Sequence, residues 1–286
     1  MSDALRWSVI VPTRDRRREL AVCLARLAPG AQTLDASAYE VIVTDDGDFA
    51  ATEAWLQQDA PWARHVRGPR RGPAANRNAG ARQGAAPWLV FADDDIVPDA
   101  GWLAGFAAMA EQGTVLEGKT TCEAGLRSPR EHSPENLTGG VLWSCNIAVR
   151  REAFLAIGGF DEGFPFPHME DADLRERLRA AGHALVWVPD ARVDHPPRRL
   201  PSGTQLGRYR QSEVRYLYKY GAPRPVRWRM LRNVVLSRLV NIRARPKGLD
   251  SLRALWALGA ECWYVLRHGA AWERESAREF PERRAL

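Results

Sequence analysis

Lysine is nearly absent from this 286-residue chain: it occurs only at Lys119, Lys219 and Lys247, although Lys and Arg together number 41. The net charge of +6 therefore rests on arginine, whose planar guanidinium grips phosphate oxygens in pairs. Acidic partners such as nucleotide diphosphates or lipid phosphates suit such a chain. No recognised nucleic-acid module accompanies the charge, so no nucleic acid is expected as a partner. Cysteine is scarce too. Cys23, Cys122, Cys145 and Cys262 are widely spaced, and the lack of any C-x-x-C pair argues against a zinc site or redox dithiol. Reduced thiols in or near a core are expected. No stretch supplies the roughly 18 or more uncharged apolar residues of a membrane span. A strand pattern begins at Trp7 without the charged, apolar and cleavage regions of a signal peptide, so a cytoplasmic location is expected.

What the chain does have is 45% hydrophobic and 27% charged residues, the composition of a globular protein with a real core. Its first half alternates strand-like and helix-like runs. Trp7 to Pro12, Tyr39 to Gly47, Arg64 to Gly68 and Trp88 to Asp95 read as strands, with helical patterns over 19–27, 50–58 and 74–83. Short apolar strands separated by helices predict a mostly parallel sheet covered on both faces. Such sheets bind ligands beyond the carboxyl ends of their strands, where "PTRDR", "DDGD" and "DDD" lie.

Further on, Thr114 to Thr121 reads as another strand, followed by a long polar loop to Gly140. "EDADLRERLRAAGH" predicts a helix with Leu174 and Leu178 on its buried side and Gly182 at its end. From about Pro196 the chain turns basic, aromatic and helical. Leu252, Leu255, Trp256, Gly259, Trp263 and Leu266 follow helical spacing, which suits either packing on a catalytic domain or contact with an anionic membrane surface.

The densest chemistry is the triplet Asp93, Asp94 and Asp95. If the strand continues through it, Asp93 and Asp95 point one way and Asp94 the other. Two carboxylates presented together suit Mg²⁺ or Mn²⁺, which commonly share their shell with substrate phosphates. Taken alone, the triplet reads more readily as an acidic turn capping the helix near Asp99.

Five pieces in order decide more: "SVIVPTRDR", "EVIVTDDGD", "GPAANRNAG", "WLVFADDDIVPDAGW" and the set "NIAVRREAFLAIGGFDEGF…MEDADLRERLRAAGH…VPDARVDH". Over roughly Ser8 to His195 the sequence resembles the family 2 glycosyltransferases. The resemblance implies the GT-A fold, a Rossmann-like, mostly parallel sheet flanked by helices, over 1–197, with a C-terminal helical extension over 198–286. A nucleotide-binding half is expected to about residue 98 and an acceptor-binding half from 99. The nucleotide-diphosphate sugar would meet Pro12, Thr13, Arg14, Asp45, Asp46, Arg77 and Asn78. Asp93 would serve the ribose, and Asp94 would either face the donor sugar or orient the loop. Asp95 and His195 would hold Mn²⁺ or Mg²⁺. Asp171 would be the catalytic base, and Trp143, Asn146 and Glu170 would lie on the acceptor side. The implied reaction is inverting transfer to a glycan or lipid-linked hydroxyl, and peripheral contact of the C-terminal helices with the inner face of the cell membrane is in keeping with it. The rival reading is a noncatalytic module of the same fold that binds sugar nucleotides or glycans.

Overall fold

The computed structural model describes residues 5–281. The chain divides into two units, the first made of Met1–Glu123, Pro134–Pro165 and Glu170–Pro196, the second of Ala124–Ser133, Phe166–Met169 and Pro197–Leu286.

In the first unit, near-continuous apolar runs become strands because both of their faces are covered. Strands β1 (Trp7–Thr13), β2 (Tyr39–Asp45), β3 (Arg64–Arg67) and β4 (Trp88–Ala92) pair in parallel, in the order β3-β2-β1-β4. Val9 and Val11 of β1 pack into one apolar cluster with Leu20, Leu24 and Leu27. Ile10 faces the opposite cluster, with Phe91, Phe154 and Leu178. Alternation along one strand thus feeds two cores, and each fully buried large apolar side chain contributes roughly 1.5–3 kcal/mol. Helix α1 (Arg17–Leu27) buries Leu20, Cys23, Leu24 and Leu27, the i, i+3, i+4, i+7 stripe. The remaining helices that frame the site are α2 (Phe49–Asp59), α3 (Pro73–Gln83), α4 (Trp102–Ala108), α5 (Arg151–Ala156) and α6 (Glu170–Ala180).

Beyond β4 the sheet becomes mixed. Strand β8 (Asn146–Arg150) runs antiparallel to β4 and to β6 (Val115–Thr121), β9 (Leu185–Asp194) pairs in parallel with β6, and short β5 (Val97–Pro98) closes the edge. The full order is β3-β2-β1-β4-β8-β6-β9-β5. Because β9 runs beside β5, the chain following the acidic triplet lies next to the strand that ends just before His195. Helix α6 buries Leu174 and Leu178, and Gly182, with φ of 85°, ends its run while His183 N–H donates to the Leu178 carbonyl.

The second unit carries a two-stranded ribbon, β7 (Glu131–His132) with β10 (Arg198–Arg199), and helices α7 (Gly203–Lys219), α8 (Val226–Ala244) and α9 (Gly248–Glu279). Gly203 and Gly207 let α7 lie against α9: a Cβ at Gly203 would stand 2.0 Å from the Ala257 carbonyl oxygen. The face of α9 that packs is Leu258, Glu261, Val265, Gly269 and Trp272. The stripe marked by sequence spacing is the other one: Leu252, Leu255, Trp256, Trp263 and Leu266 are exposed. Among the described residues, no helix is long and apolar enough to cross a membrane.

Candidate active site

Strand β4 stops at Ala92, so the acidic triplet folds as a turn and not as an extended strand. Simple alternation therefore does not set the directions of its side chains. Asp94 is buried, accepting from Thr13 Oγ1 at 2.7 Å and from Arg16 Nη1 at 2.8 Å. The other prong of the Arg16 fork, Nη2, donates to Asp95 Oδ2 at 2.7 Å. One guanidinium thus offsets the repulsion between adjacent carboxylates. Burial still pushes Asp94 up to about 7, against the pull of Arg16. Its role in this geometry is to tie the triplet to the end of β1.

Asp93 and Asp95 meet His195, which the chain supplies a hundred residues later. His195 Nε2 is 3.3 Å from Asp95 Oδ1 and the imidazole is fully buried. One ligand atom from each of Asp93, Asp95 and His195 lies within 4.8 Å of the others. Two carboxylate oxygens and an imidazole nitrogen at that spacing fit a divalent cation such as Mn²⁺ or Mg²⁺. Asp93, expected toward a ribose, is thereby grouped with the two expected metal ligands.

Arg77 joins this cluster to α6. From the middle of α3, its Nη2 donates to Asp93 Oδ1 at 2.7 Å and its Nη1 to Glu170 Oε1 at 3.2 Å, with the guanidinium 5.6 Å from the Phe160 ring centroid. The side chain is only 7% exposed. Next to Glu170, Asp171 lies near Ser144, whose polar groups favour its charged form, while its buried Oδ1 accepts no hydrogen bond among the described residues. Burial holds both acids above the ordinary carboxylate range, and their mutual repulsion raises Glu170 further, against the attraction of Arg77. Two buried acids side by side resist carrying two negative charges at once.

At the ends of β1 and β2 lies a second acidic pair. Asp45 Oδ1 accepts from Gly47 N–H at 2.7 Å, and its Oδ2 is 3.6 Å from His65 Nε2. Asp46 Oδ1 accepts from Arg70 N–H at 2.8 Å, and burial raises this acid. Gly68 is required here, since a Cβ would come within 2.1 Å of Asp46 Oδ1. Phe49 stacks on His65 with centroids 4.0 Å apart and planes at 7°, under the Arg67 guanidinium. Pro12 is half-buried and Thr13 buried, whereas Arg14 points into solvent. The positive φ of Asp15, 54°, turns the chain so that Arg16 and not Arg14 reaches the triplet.

Three expected contact residues spend their polar atoms on the fold. Asn78 clamps the "GGFDE" loop, donating to the Phe160 carbonyl at 2.9 Å and to Glu162 Oε1 at 3.0 Å while accepting from Phe160 N–H. Asn146 is buried, accepting from Trp102 Nε1 at 2.7 Å and donating to the carbonyls of Lys119 and Ala191. Trp143 is half-buried, its indole N–H 3.4 Å from the Glu135 carbonyl. Sequence reasoning missed Arg16, Ser144 and above all Glu117. This buried carboxylate accepts from Asn136 and from the backbone N–H groups of Gly140, Val141 and Leu142, so it shapes the loop that presents Ser144. Its only sequence signal was a lone acid inside an apolar strand.

The family model described as Glycosyl transferase family 2 matches residues 8–155. The chain belongs to this family. Among curated relatives of this family 2 chain, N-acetylglucosaminyl-diphospho-decaprenol L-rhamnosyltransferase of Mycobacterium tuberculosis is 46% identical over 69 residues, 24% of this chain and 22% of that protein. Glycosyltransferase AglE of Haloferax volcanii is 27% identical over 211 residues, 67% of each chain. The match thus spans about a fifth of the first relative. Two solved structures share the architecture over 96% of this chain. S. aureus TarS 1-349 in complex with UDP-GlcNAc has a TM-score of 0.57 at 16% identity over 90% of its length. The mannosyltransferase PcManGT from Pyrobaculum calidifontis in complex with GDP-Man and Mn²⁺ has a TM-score of 0.56 at 19% identity over 78%. The fold is that of the GT-A glycosyltransferases.

Proposed function

We propose that this family 2 chain is an inverting glycosyltransferase that moves a sugar from a nucleotide-diphosphate donor to a hydroxyl of a glycan or lipid-linked acceptor. The observation that carries the reading is one connected network: Asp93, Asp95 and His195 in a cluster, and Arg77 joining that cluster to Glu170 beside Asp171, whose Oδ1 is buried and unpartnered among the described residues. A module that only binds has no need of that last feature.

In the proposed reaction the acceptor oxygen forms a bond to the anomeric carbon as the bond from that carbon to the diphosphate oxygen breaks. The electron pair leaves with the diphosphate, and the acceptor proton goes to Asp171 Oδ1. Because the acceptor attacks from the face opposite the leaving group, the anomeric configuration inverts. Raised by burial, Asp171 is a stronger base than an exposed aspartate. Arg77 and Arg16 keep the surrounding carboxylates in place. A divalent cation held by Asp93, Asp95 and His195 would supply positive charge against the diphosphate. Thr13, Asp45, Asp46 and the Phe49–His65 pair border the region assigned to the nucleotide.

Peripheral membrane contact through the C-terminal helices belongs to the same proposal. From Arg227 to Arg267 there are nine Arg or Lys residues against only Asp250 and Glu261. Trp256 is 83% exposed beside them, the combination that binds anionic bilayers from the cytoplasmic side.

The test is a screen of sugar nucleotides for binding and slow donor hydrolysis, with Mn²⁺, with Mg²⁺ and with chelator. One donor should bind and hydrolyse only with metal, and Asp95→Ala should abolish the metal response. Equal behaviour in all three conditions would remove the metal from the proposal, and binding without any turnover would favour the noncatalytic module.

A further inference from the structure

In the first unit, the chain entering β8 makes a turn that side chains must impose. Gly139, Gly140 and Leu142 have φ of 81°, 96° and 58°, and Leu142 is fully buried. Glycine adopts this region freely, whereas a leucine held there is strained and its surroundings have to fix it. Two side chains do so. Gly139 N–H donates to Asn136 Oδ1 at 2.9 Å, and the next three N–H groups converge on Glu117: Gly140 on Oε2 at 2.6 Å, Val141 on Oε1 at 2.9 Å, and Leu142 on Oε1 as well. Asn136 Nδ2 adds another donor to Oε1 at 2.9 Å. Successive N–H groups turned inward form an anion-binding nest, and here the chain fills it with its own carboxylate, 1% exposed within β6. Donors left unmet in such a buried place cost more than an average hydrogen bond gives.

The carbonyl side of the same turn is gripped from α6. Arg175 Nη1 donates to the Gly140 carbonyl at 3.3 Å and stands 3.5 Å from the Val141 carbonyl oxygen. Glu176 holds the rest of that guanidinium, taking Nε at 3.0 Å and Nη2 at 2.8 Å. Arg175 follows Asp171 by four residues, which puts both on one face of α6. Two residues past the turn comes Ser144, 2% exposed and close to Asp171. The turn therefore follows the helix that carries Asp171, meeting it at Arg175 and again near Asp171 itself. Gly139 fixes a third side, since a Cβ there would stand 2.9 Å from Cε3 of the Trp187 indole. A loop that only connects two strands generally tolerates change and has no need of a buried acid, a strained leucine and a helix-borne arginine together. A base in an active site does need such a frame, because a shift of about 1 Å can cost on the order of 10²-fold in rate.

We propose that Glu117 is a positioning residue for the transfer step: clamped between Glu117 and Arg175, the 139–142 turn sets where Ser144 stands beside Asp171, and so where the base meets the acceptor oxygen. The role rests on the transferase reading above. It places Glu117 in acceptor activation and not in donor binding.

The experiment takes Glu117→Gln in the full chain through the screen above, run with Mn²⁺ and UDP-, GDP- and dTDP-sugars as probes and water as the acceptor. The amide keeps Oε1 for its three donors but turns an N–H₂ group against the Gly140 N–H. The kcat of donor hydrolysis should fall by about tenfold or more, while the donor Kd from calorimetry changes less than about twofold. Hydrogen exchange of the Gly140 to Leu142 amides should quicken by about tenfold or more. Gly139→Ala presses a Cβ on Trp187 and leaves Glu117 intact, so it should reproduce the kcat loss; it keeps the test available if Glu117→Gln does not fold. Donor affinity falling in step with kcat would mark a merely structural residue and overturn the inference. So would a folded Glu117→Gln variant with unchanged exchange at the turn, or one with faster exchange and kcat within about twofold of native. A native chain that hydrolyses none of the probes would sink the transferase reading and this role together, whereas an active native chain with equally active variants would sink the role alone.

Discussion

Replacing Asp171 by Asn removes one charge and leaves the side chain its size. The amide still offers a carbonyl oxygen to the polar groups of Ser144 nearby. Glu170 loses the repulsion of its neighbour and returns toward the ordinary carboxylate range, which relieves the buried pair. Stability should therefore be unchanged or slightly higher. Turnover should not survive so well, because the amide cannot accept the acceptor proton. General-base catalysis typically contributes about 10²–10⁴-fold, or roughly 2.7–5.5 kcal/mol of barrier. The assay is transfer to acceptor at saturating donor, with donor affinity measured separately: kcat should fall by that factor while the donor Kd changes less than about threefold. The pH profile supplies a second readout. A base works only when ionised, so the rate falls as pH drops through its pKa. Since burial raises Asp171, that acid limb should lie above the ordinary carboxylate range in the native enzyme and vanish in the variant. An Asn variant within about threefold of native kcat would refute the assignment.

Arg77→Met should destabilise the first unit by about 3–5 kcal/mol, because Asp93 and Glu170 lose a buried counter-charge. Urea unfolding checks this, and the loss should be smaller at pH 5 than at pH 8, since Glu170, pushed up to about 8 by burial, is protonated at the lower pH and no longer an orphaned charge; an equal loss at both pH values would count against the electrostatic account. For the membrane contact, the chain should co-sediment with anionic vesicles at low salt and be released at high salt, where screening acts on its arginines. Failure to bind at low salt would exclude surface attachment by these helices.

Much of the fold was legible because its elements rest on local periodicity. Strands β1, β2 and β4 and helices α1 and α6 follow apolar spacing that any chain of this pattern would bury, and the ordered pieces from Ser8 to His195 carried the family resemblance. The mixed second half of the sheet was less legible, since strand direction leaves no mark on side-chain alternation. Within the site, Asp93, Asp95, Asp171 and His195 were named from sequence and the fold places them in one connected region. Arg16 escaped notice because only the turn at Asp15 carries it to the triplet. Glu117 escaped notice because a buried acid looks out of place until the four donors around it are known.

By itself, then, the order of residues determined which segments are strands and helices, since those choices depend on neighbours a few positions away. It also supplied the arginine-rich character and the acidic loops. Only the tertiary structure decided which acids share a cation-sized cluster and which share a buried counter-charge. Asp93 meets His195 because β5 pairs with β9, and Arg77 meets Glu170 across 93 positions of chain. Likewise, which side of α9 is buried depends on where the glycines of α7 let a second helix approach. Two apolar stripes compete for one packing surface there, and the backbone contact at Gly203 and Ala257 settles it.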